Sequence, residues 1–335
     1  MKPSLHLLGF ALALIGIGVS DNSHAATAND ADRDWQAYVA ARDEAPPKPM
    51  REMSRIEFDQ YFEQLSLRLR DLGLAFIEKH PTDPRRWTIV HRFSPYYPRF
   101  VKEWGPLDAE GRPARPVVDE AAAAAWKTKV AELKAALDKA TDVPEDVIKL
   151  RAAQAERESK RLQFFSKWRS GKAMAPDFVM HDLSGRELRL SDYRGKVVVL
   201  DYWAPWCGPC KAAMPHTQEV GAQFKDQGVV IIGSCTSDTR ENFENWVKAN
   251  QGSYPDIIWA FDPAGKSDER ASKRLYDVPG IPAQFIIDRE GRVVDVVVGY
   301  IKGEVLLEAA LAKAGIPIDP KLVAQANEQR ARREM

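Results

Sequence analysis

Asp201-Tyr202-Trp203-Ala204-Pro205-Trp206-Cys207-Gly208-Pro209-Cys210-Lys211 is the stretch on which the fold turns. It overlaps the end of a Val-rich run, Lys196 to Tyr202, whose unbroken apolarity is that of a strand buried on both faces, and a helical pattern follows it. The two cysteines therefore stand at the first turn of a helix. There the leading sulfur meets backbone N–H groups that lack intrahelical partners, together with the positive end of the helix dipole. The thiolate of Cys207 is favoured and its pKa falls. Cys207 is the predicted nucleophile, and Cys210, one turn on and more enclosed, is the predicted resolving thiol, the two forming a redox-active disulfide. Asp201 interrupts the apolar strand six residues before Cys207. An ionised carboxylate without a partner is strongly disfavoured there, so its pKa is expected to be raised.

Working outward, Pro176 to Met180 and Glu187 to Leu190, split by Ser184-Gly185, read as a hairpin. Val229 to Gly233 is a second buried strand. Ile257 to Phe261 is a third, and Gln284 to Asp288 and Val293 to Val298 face each other around Arg289-Glu290-Gly291. A closing helix runs from Lys302 to Ala314. Strands that alternate with helices and end in a hairpin and a helix describe an α/β sandwich over 171–315.

With Pro215 five residues past Cys210, the opening stretch resembles the active-site strand and helix of thioredoxins. Ala175-Pro176-Asp177-Phe178 and Leu190-Ser191-Asp192-Tyr193-Arg194-Gly195-Lys196 are similar to the TlpA/ResA branch of that superfamily, exported relatives with an N-terminal hairpin and a central insertion. The likeness covers about residues 172 to 315 and implies a thioredoxin-like fold and a thiol-disulfide oxidoreductase that needs no cofactor. It also implies that Asp201 is a general acid/base for the second cysteine, although many TlpA/ResA relatives carry Asn at that point. Val278-Pro279-Gly280-Ile281-Pro282-Ala283-Gln284-Phe285 matches the family's cis-proline loop, with Pro282 as the cis residue, and a cis bond elsewhere costs about 2.5–4 kcal/mol. In the resembling enzymes the residue before that proline, here Ile281 where Thr is common, offers backbone hydrogen bonds to an extended substrate. Trp206, Gly208 and Pro209 complete the expected substrate-binding rim.

Gly208-Pro209 is the dipeptide of the strongly reducing thioredoxins, near about −270 mV against about −120 mV for the oxidant DsbA. The resemblance thus points toward reduction of disulfide-containing exported proteins, cytochrome c maturation among the settings, with electrons from a membrane donor of the DsbD/CcdA kind. Other readings of the same residues stay open. The chain could be a disulfide oxidase or isomerase, or a noncatalytic adaptor that uses its helical half. A thiol peroxidase shares the Ala175-Pro176-Asp177-Phe178 opening, but its cysteine follows a Pro and a Thr at spacings that here hold Leu200 and Ala204. A zinc site is short of ligands, with three Cys, six His and no second CxxC. Asp201 could bond water at a strand end, Pro282 could be trans in an ordinary turn, and Trp203 and Trp206 could merely pack. Pro215 is expected to kink its helix. Cys235, ending the neighbouring strand, is either a third redox thiol or a buried spectator.

At 335 residues the chain is too long for one ordinary core, so two domains are expected. Lys plus Arg equals Asp plus Glu at 48 each, which gives no field to draw nucleic acid. Residues 1–25, with Lys2, an uncharged run from Leu5 to Val19 and Ser23-His24-Ala25, have the order of a secretory signal. That run has 15 residues, short of the roughly 18–20 needed to span a bilayer, so no stable membrane insertion is expected after cleavage. The bacterial periplasm or the exterior is the predicted location. Residues 26–50 read as a flexible tether with one short helix near Trp35, 51–170 as a helical domain and 316–335 as a C-terminal tail. In the helical part, Phe58, Phe62, Leu65, Leu69, Leu72 and Phe76 share one helix face, as do Trp126, Val130, Leu133 and Leu137, and a more polar helix runs from Pro144 to Trp168. Between the first two lies a proline-broken stretch whose aromatics, Trp87, Tyr96, Tyr97, Phe100 and Trp104, are expected to fill the core rather than to bind a peptide.

Overall fold

The computed structural model describes residues 28–93, 98–107 and 114–334; the predicted signal segment and Tyr96 and Tyr97 lie outside these. The chain divides into two compact units between Ala153 and Gln154.

In the first unit, α1 (Ala28–Asp43) packs beside α2 (Arg55–Lys79), followed by α3 (Arg86–Arg92), a two-stranded ribbon of β1 (Val101–Glu103) and β2 (Val117–Val118), α4 (Glu120–Lys139) and the start of α5 (Glu145–Trp168). Ser54 and Glu57 form a reciprocal capping box at the start of α2, which satisfies two orphan donors. Gly73 permits a close approach inside this unit, since a Cβ there would fall 2.6 Å from Ile89 Cγ2. The core joins Tyr38, Leu69, Phe76, Ile89, Phe93 and Trp126.

Residues 28–43 are thus not a tether. Tyr38 and Ala41 are buried, and Asp34 takes hydrogen bonds from Lys79 at 2.7 Å and pairs with His80 at 2.9 Å, which hold its carboxyl down at about 2. The apolar face Ala31, Trp35, Tyr38 has helical spacing that the Ala/Asp-rich composition conceals. Trp87 is buried with its indole N–H donated to Asp142 at 2.7 Å, whereas Trp104 is half-buried under the Arg99 guanidinium at 5.1 Å.

The second unit is a seven-stranded sheet in the order β4-β3-β7-β6-β5-β8-β9. Its strands are β3 (Val179–His181), β4 (Glu187–Arg189), β5 (Val197–Trp203), β6 (Val229–Cys235), β7 (Ile257–Phe261), β8 (Ala283–Ile287) and β9 (Val293–Val298). β5, β6 and β7 are parallel, β8 returns antiparallel beside β5, and β9 lies antiparallel beside β8. The helices are α6 (Gly208–Phe224), α7 (Arg240–Asn250), α8 (Ala271–Arg274), α9 (Leu306–Lys313) and α10 (Pro320–Glu334).

Every residue of β5 is buried, and strand alternation splits them between two cores. Val197, Val199 and Trp203 join Met214, Val220 and Phe224 of α6, while Val198, Leu200 and Tyr202 join Phe164 and Trp168 of α5 with Tyr276 and Phe285. That second core moves the division upstream of the expected 171. Trp168 stacks on Tyr276 at 5.3 Å, meets Phe285 edge-on at 5.4 Å and donates its indole N–H to the Tyr276 carbonyl at 3.1 Å. Of the expected tail 316–335, the described residues 316–334 are likewise no tail. Ala326 of α10 is buried, and Arg330 reaches Asp295 with its two terminal guanidinium nitrogens at 3.0 and 2.8 Å.

Replacing Trp168 with Ala is expected to destabilise the second unit by about 3–5 kcal/mol, the usual cost of emptying a buried aromatic site. Leu162→Ala, on the same helix but 57% exposed, should change it by no more than about 0.5 kcal/mol. Urea unfolding of both variants checks this.

Candidate active site

β5 ends at Trp203, and Ala204-Pro205-Trp206 carries the chain to α6. The Cys207 N–H bonds the Ala204 carbonyl at 3.0 Å, and Cys207 itself is the N-cap of α6, with φ −78° and ψ 101°. Its sulfur accepts the backbone N–H of Cys210 at 3.1 Å, the place a Ser or Asp oxygen fills in an ordinary cap. Pro209 lies in the first turn, where a missing N–H costs nothing. Cys207 and Cys210 are joined in a disulfide with Cα atoms 5.3 Å apart. Both are nearly enclosed, at 3% and 2% exposure, so the expected contrast between an open first sulfur and a covered second one is absent in this oxidised state.

The cover comes in part from the loop before β8. The Ile281–Pro282 peptide is cis, and the Ile281 carbonyl oxygen lies 3.8 Å from Cys207 Sγ. Gly299, just after β9, donates its N–H to the Pro282 carbonyl at 2.8 Å, which ties this loop to the end of the hairpin. Trp206 is 61% exposed, yet its indole N–H is anchored on the Ser237 carbonyl at 3.2 Å. It is an apolar surface held in one orientation. Trp203, by contrast, is buried among Trp246 and Trp259, with ring centroids 4.7 and 5.0 Å away. Pro215 falls inside α6 and removes one i→i−4 donor.

Asp201 lies on the α6 face of β5, the face that Val199 and Trp203 share. Burial pushes its carboxyl up to about 7 against a lowering hydrogen bond from Gln284. Gln284 is its partner in register on β8, and Gln284 Nε2 donates to Asp201 Oδ2 at 3.2 Å and to Thr217 Oγ1 at 2.9 Å. Thr217 in turn donates to the Ala213 carbonyl at 3.2 Å. Since Thr217 and Cys210 both belong to the buried stripe of α6, this chain places the acid beneath the helix that carries the sulfurs. Asp201 Oδ1 is buried without a hydrogen-bond partner among the described residues. A carboxyl so placed can hold a proton near neutrality.

Gln284 and Thr217 escaped the sequence reading as site residues. The available signal was Gln284 itself, an amide inside the apolar strand Ala283–Ile287, because a buried polar group requires a partner. Cys235 is a free thiol, fully buried at the end of β6 opposite Trp203 and Phe261, and burial raises its pKa. No group of three His, Cys, Asp or Glu among the described residues could hold a metal ion. No helix among them is long and apolar enough to cross a membrane.

Residues 172–296 match the model of the AhpC/TSA family. A thiol-disulfide oxidoreductase ResA of Geobacillus thermodenitrificans is 35% identical over 130 residues, which are 39% of this chain and 70% of that protein. ResA of Bacillus anthracis is 33% identical over 127 residues, 37% of this chain and 68% of that one. Among solved structures, a thiol:disulfide interchange protein DsbE from Chlorobium tepidum is 34% identical, the match covering 43% of this chain and 96% of that chain with a TM-score of 0.36.

Two pH effects are expected of Asp201. A carboxyl whose native pKa is raised holds its proton longer folded than unfolded, so its contribution to stability is full below the ordinary Asp range and is lost as pH rises through about 7. Asp201→Asn should therefore raise Tm at pH 8.5 and change it little at pH 4, with a ceiling of about 4 kcal/mol for three pKa units. The rate of disulfide reduction should rise with pH through about 7 in the parent chain. In Asp201→Asn that inflection should vanish and the rate at pH 8 should fall by about 10²-fold or more; an inflection that survives in the variant removes Asp201 from proton transfer.

Proposed function

Since the chain belongs to the ResA family of thiol-disulfide oxidoreductases, we propose that it works as a reductase of disulfides in exported proteins through the Cys207–Cys210 pair. The observation that carries this reading is the seat of Cys207, whose sulfur already accepts the Cys210 N–H at the N-terminus of α6, a position that stabilises a thiolate once the disulfide is reduced.

The steps follow from that seat. In the reduced protein the Cys207 thiolate attacks one sulfur of a substrate disulfide, whose S–S bond breaks and releases the other sulfur as a thiolate. A mixed disulfide now joins Cys207 to the substrate. Cys210 yields its proton to the Asp201 carboxylate and attacks Cys207, which expels the second substrate thiolate and leaves the protein disulfide. Two electrons have passed to the substrate. Restoring the dithiol takes two electrons from another dithiol, and a membrane donor of the DsbD/CcdA kind fits an exported protein. The predicted signal order of residues 1–25 supports export to the periplasm or beyond, and cytochrome c maturation is one setting in which such a reductase would act.

Ile281 presents backbone next to the reactive sulfur, and Trp206 offers a fixed apolar face for a partner. Together with Gly208, Pro209 and Pro282 they form the docking rim. Because Ile281 interacts through its main chain, its departure from Thr leaves the hydrogen bonds to an extended strand available.

Cys210→Ser should stall the first half of this sequence. Incubation of the reduced variant with exported proteins should accumulate disulfide-linked adducts on Cys207 that dithiothreitol releases, and Cys207→Ser should accumulate none. The reduction potential of the pair is expected below about −200 mV, on the reducing side of protein disulfide isomerase at about −180 mV. A value near that of DsbA would reverse the direction to oxidation.

A further inference from the structure

The second unit carries a groove that the dithiol chemistry does not use. One cavity of about 530 Å³ is lined by Arg161, Phe165 and Arg169 before the sheet and by Arg330 and Arg333 of α10, together with Pro279 and Gly280. A second, of about 760 Å³, continues along α5 past Arg157 and shares Arg161 and Pro279 with the first. The two adjoin at Arg161 and Pro279, a channel along α5. Gly280 in its lining is a single residue from Ile281, whose carbonyl lies 3.8 Å from Cys207 Sγ. From Arg157 to the end of α5 the channel wall rises roughly 17 Å, the span of about five residues of extended peptide.

The channel is cationic although the whole chain is balanced at 48 positive and 48 negative side chains. Several cations are neutralised one for one. Lys167 pairs with Asp277 at 3.1 Å, Arg161 with Glu158 at 2.8 Å, and Arg333 with Glu304. Others must share a partner. Lys313 at 2.9 Å and Arg330 at 2.8 Å both meet the single, fully buried carboxylate of Asp295, which Arg169 also approaches at 3.4 Å, and these cations hold it charged in spite of burial. Because Lys313 shares Asp295 with it, Arg330 in the channel lining is only partly neutralised, and Arg157 lines the second cavity as a further cation. Phe165 lies under the Arg169 guanidinium at 3.9 Å, so the cationic wall is also apolar and rigid.

From this we propose that the channel binds an acidic segment of the substrate protein, about four to six extended residues flanking the cysteine that Cys207 attacks. The inference rests on the reductase reading and deepens it by naming what the substrate must carry. Carboxylates seated along α5 would steer the partner and fix the register in which its disulfide reaches the sulfur. The specificity thus comes from α5 and α10, which flank the 172–296 family match on either side.

Two probes on the full chain test it. A fluorescein-labelled, cysteine-free peptide of alternating Glu and Ser, and its Gln counterpart, are titrated into the oxidised protein. The Glu peptide should bind about tenfold more tightly at low ionic strength, and the difference should close in about 0.5 M NaCl, where screening is nearly complete. In Arg157→Gln/Arg161→Gln the Glu-over-Gln ratio should drop below about threefold. Equal binding of the two peptides, or a ratio unchanged in the double variant, overturns the proposal. So does a single-stranded oligonucleotide of equal charge that binds more tightly than the Glu peptide. The second probe is a pair of disulfide-linked peptide dimers with Glu or Gln around the cysteine, whose reduction rates should differ by the same ratio. If neither dimer is reduced while the Glu peptide still binds, the reductase reading fails and the channel stands. If both dimers are reduced at one rate, the channel's role in specificity fails and the reductase reading stands.

Discussion

The hydrogen bond from the Cys210 amide to the Cys207 sulfur is the contact on which the chemistry depends. It exists because Cys207 is the last residue outside α6, with extended backbone, while Cys210 is already inside it. A sulfur in that position takes the place of a capping oxygen and senses the same N–H groups and the same dipole. β5 supplies the other half of the arrangement. As a seven-residue strand buried on both faces, it has no freedom to slip, and a shift of one residue would turn Asp201 away from α6. Strand register and helix cap together fix which carboxyl lies beneath which sulfurs.

The acid is not isolated. Gln284 gives both its amide hydrogens away, one to Asp201 and one to Thr217, and so connects β5, β8 and α6 by polar bonds through an otherwise apolar layer. Burial pushes this carboxyl up to about 7, and one hydrogen-bonded oxygen offsets that only in part while the other stays bare. Full satisfaction of both oxygens would hold the charge and abolish proton exchange near neutrality.

How much of this could be read from the sequence varied with the kind of signal. The alternation of strands and helices showed the sandwich, Pro176–Met180 and Glu187–Leu190 around Ser184-Gly185 the hairpin of β3 and β4, and the CxxC the sulfur pair, because local pattern and burial agree there. Asp201 was legible as an anomaly in an apolar strand. Gln284 was not, since a single amide in a strand does not declare its partner until the register with β5 is known. A short helix was legible near Trp35, but the length and burial of α1 were masked by Ala and Asp, residues that say little about burial. α10 offered only Ala326 as an inward residue, and its attachment is through arginines that read as solvated charge. The failure at 171 has a similar origin. Phe164 and Trp168 lie four apart on a helix that is polar elsewhere, and nothing local says that they belong to the sheet that follows.

That last feature bears on how the catalytic unit could be handled as a piece of DNA. The match to the family model begins at 172, but Trp168 lies inside the sandwich. A gene cut at 172 would encode a protein with an indole-sized hole against Tyr276 and Phe285 and with no donor for the Tyr276 carbonyl. The portable unit in this chain starts near Gln154 and runs through α10, and recombination or cloning that respects family likeness alone would sever it from its own interior.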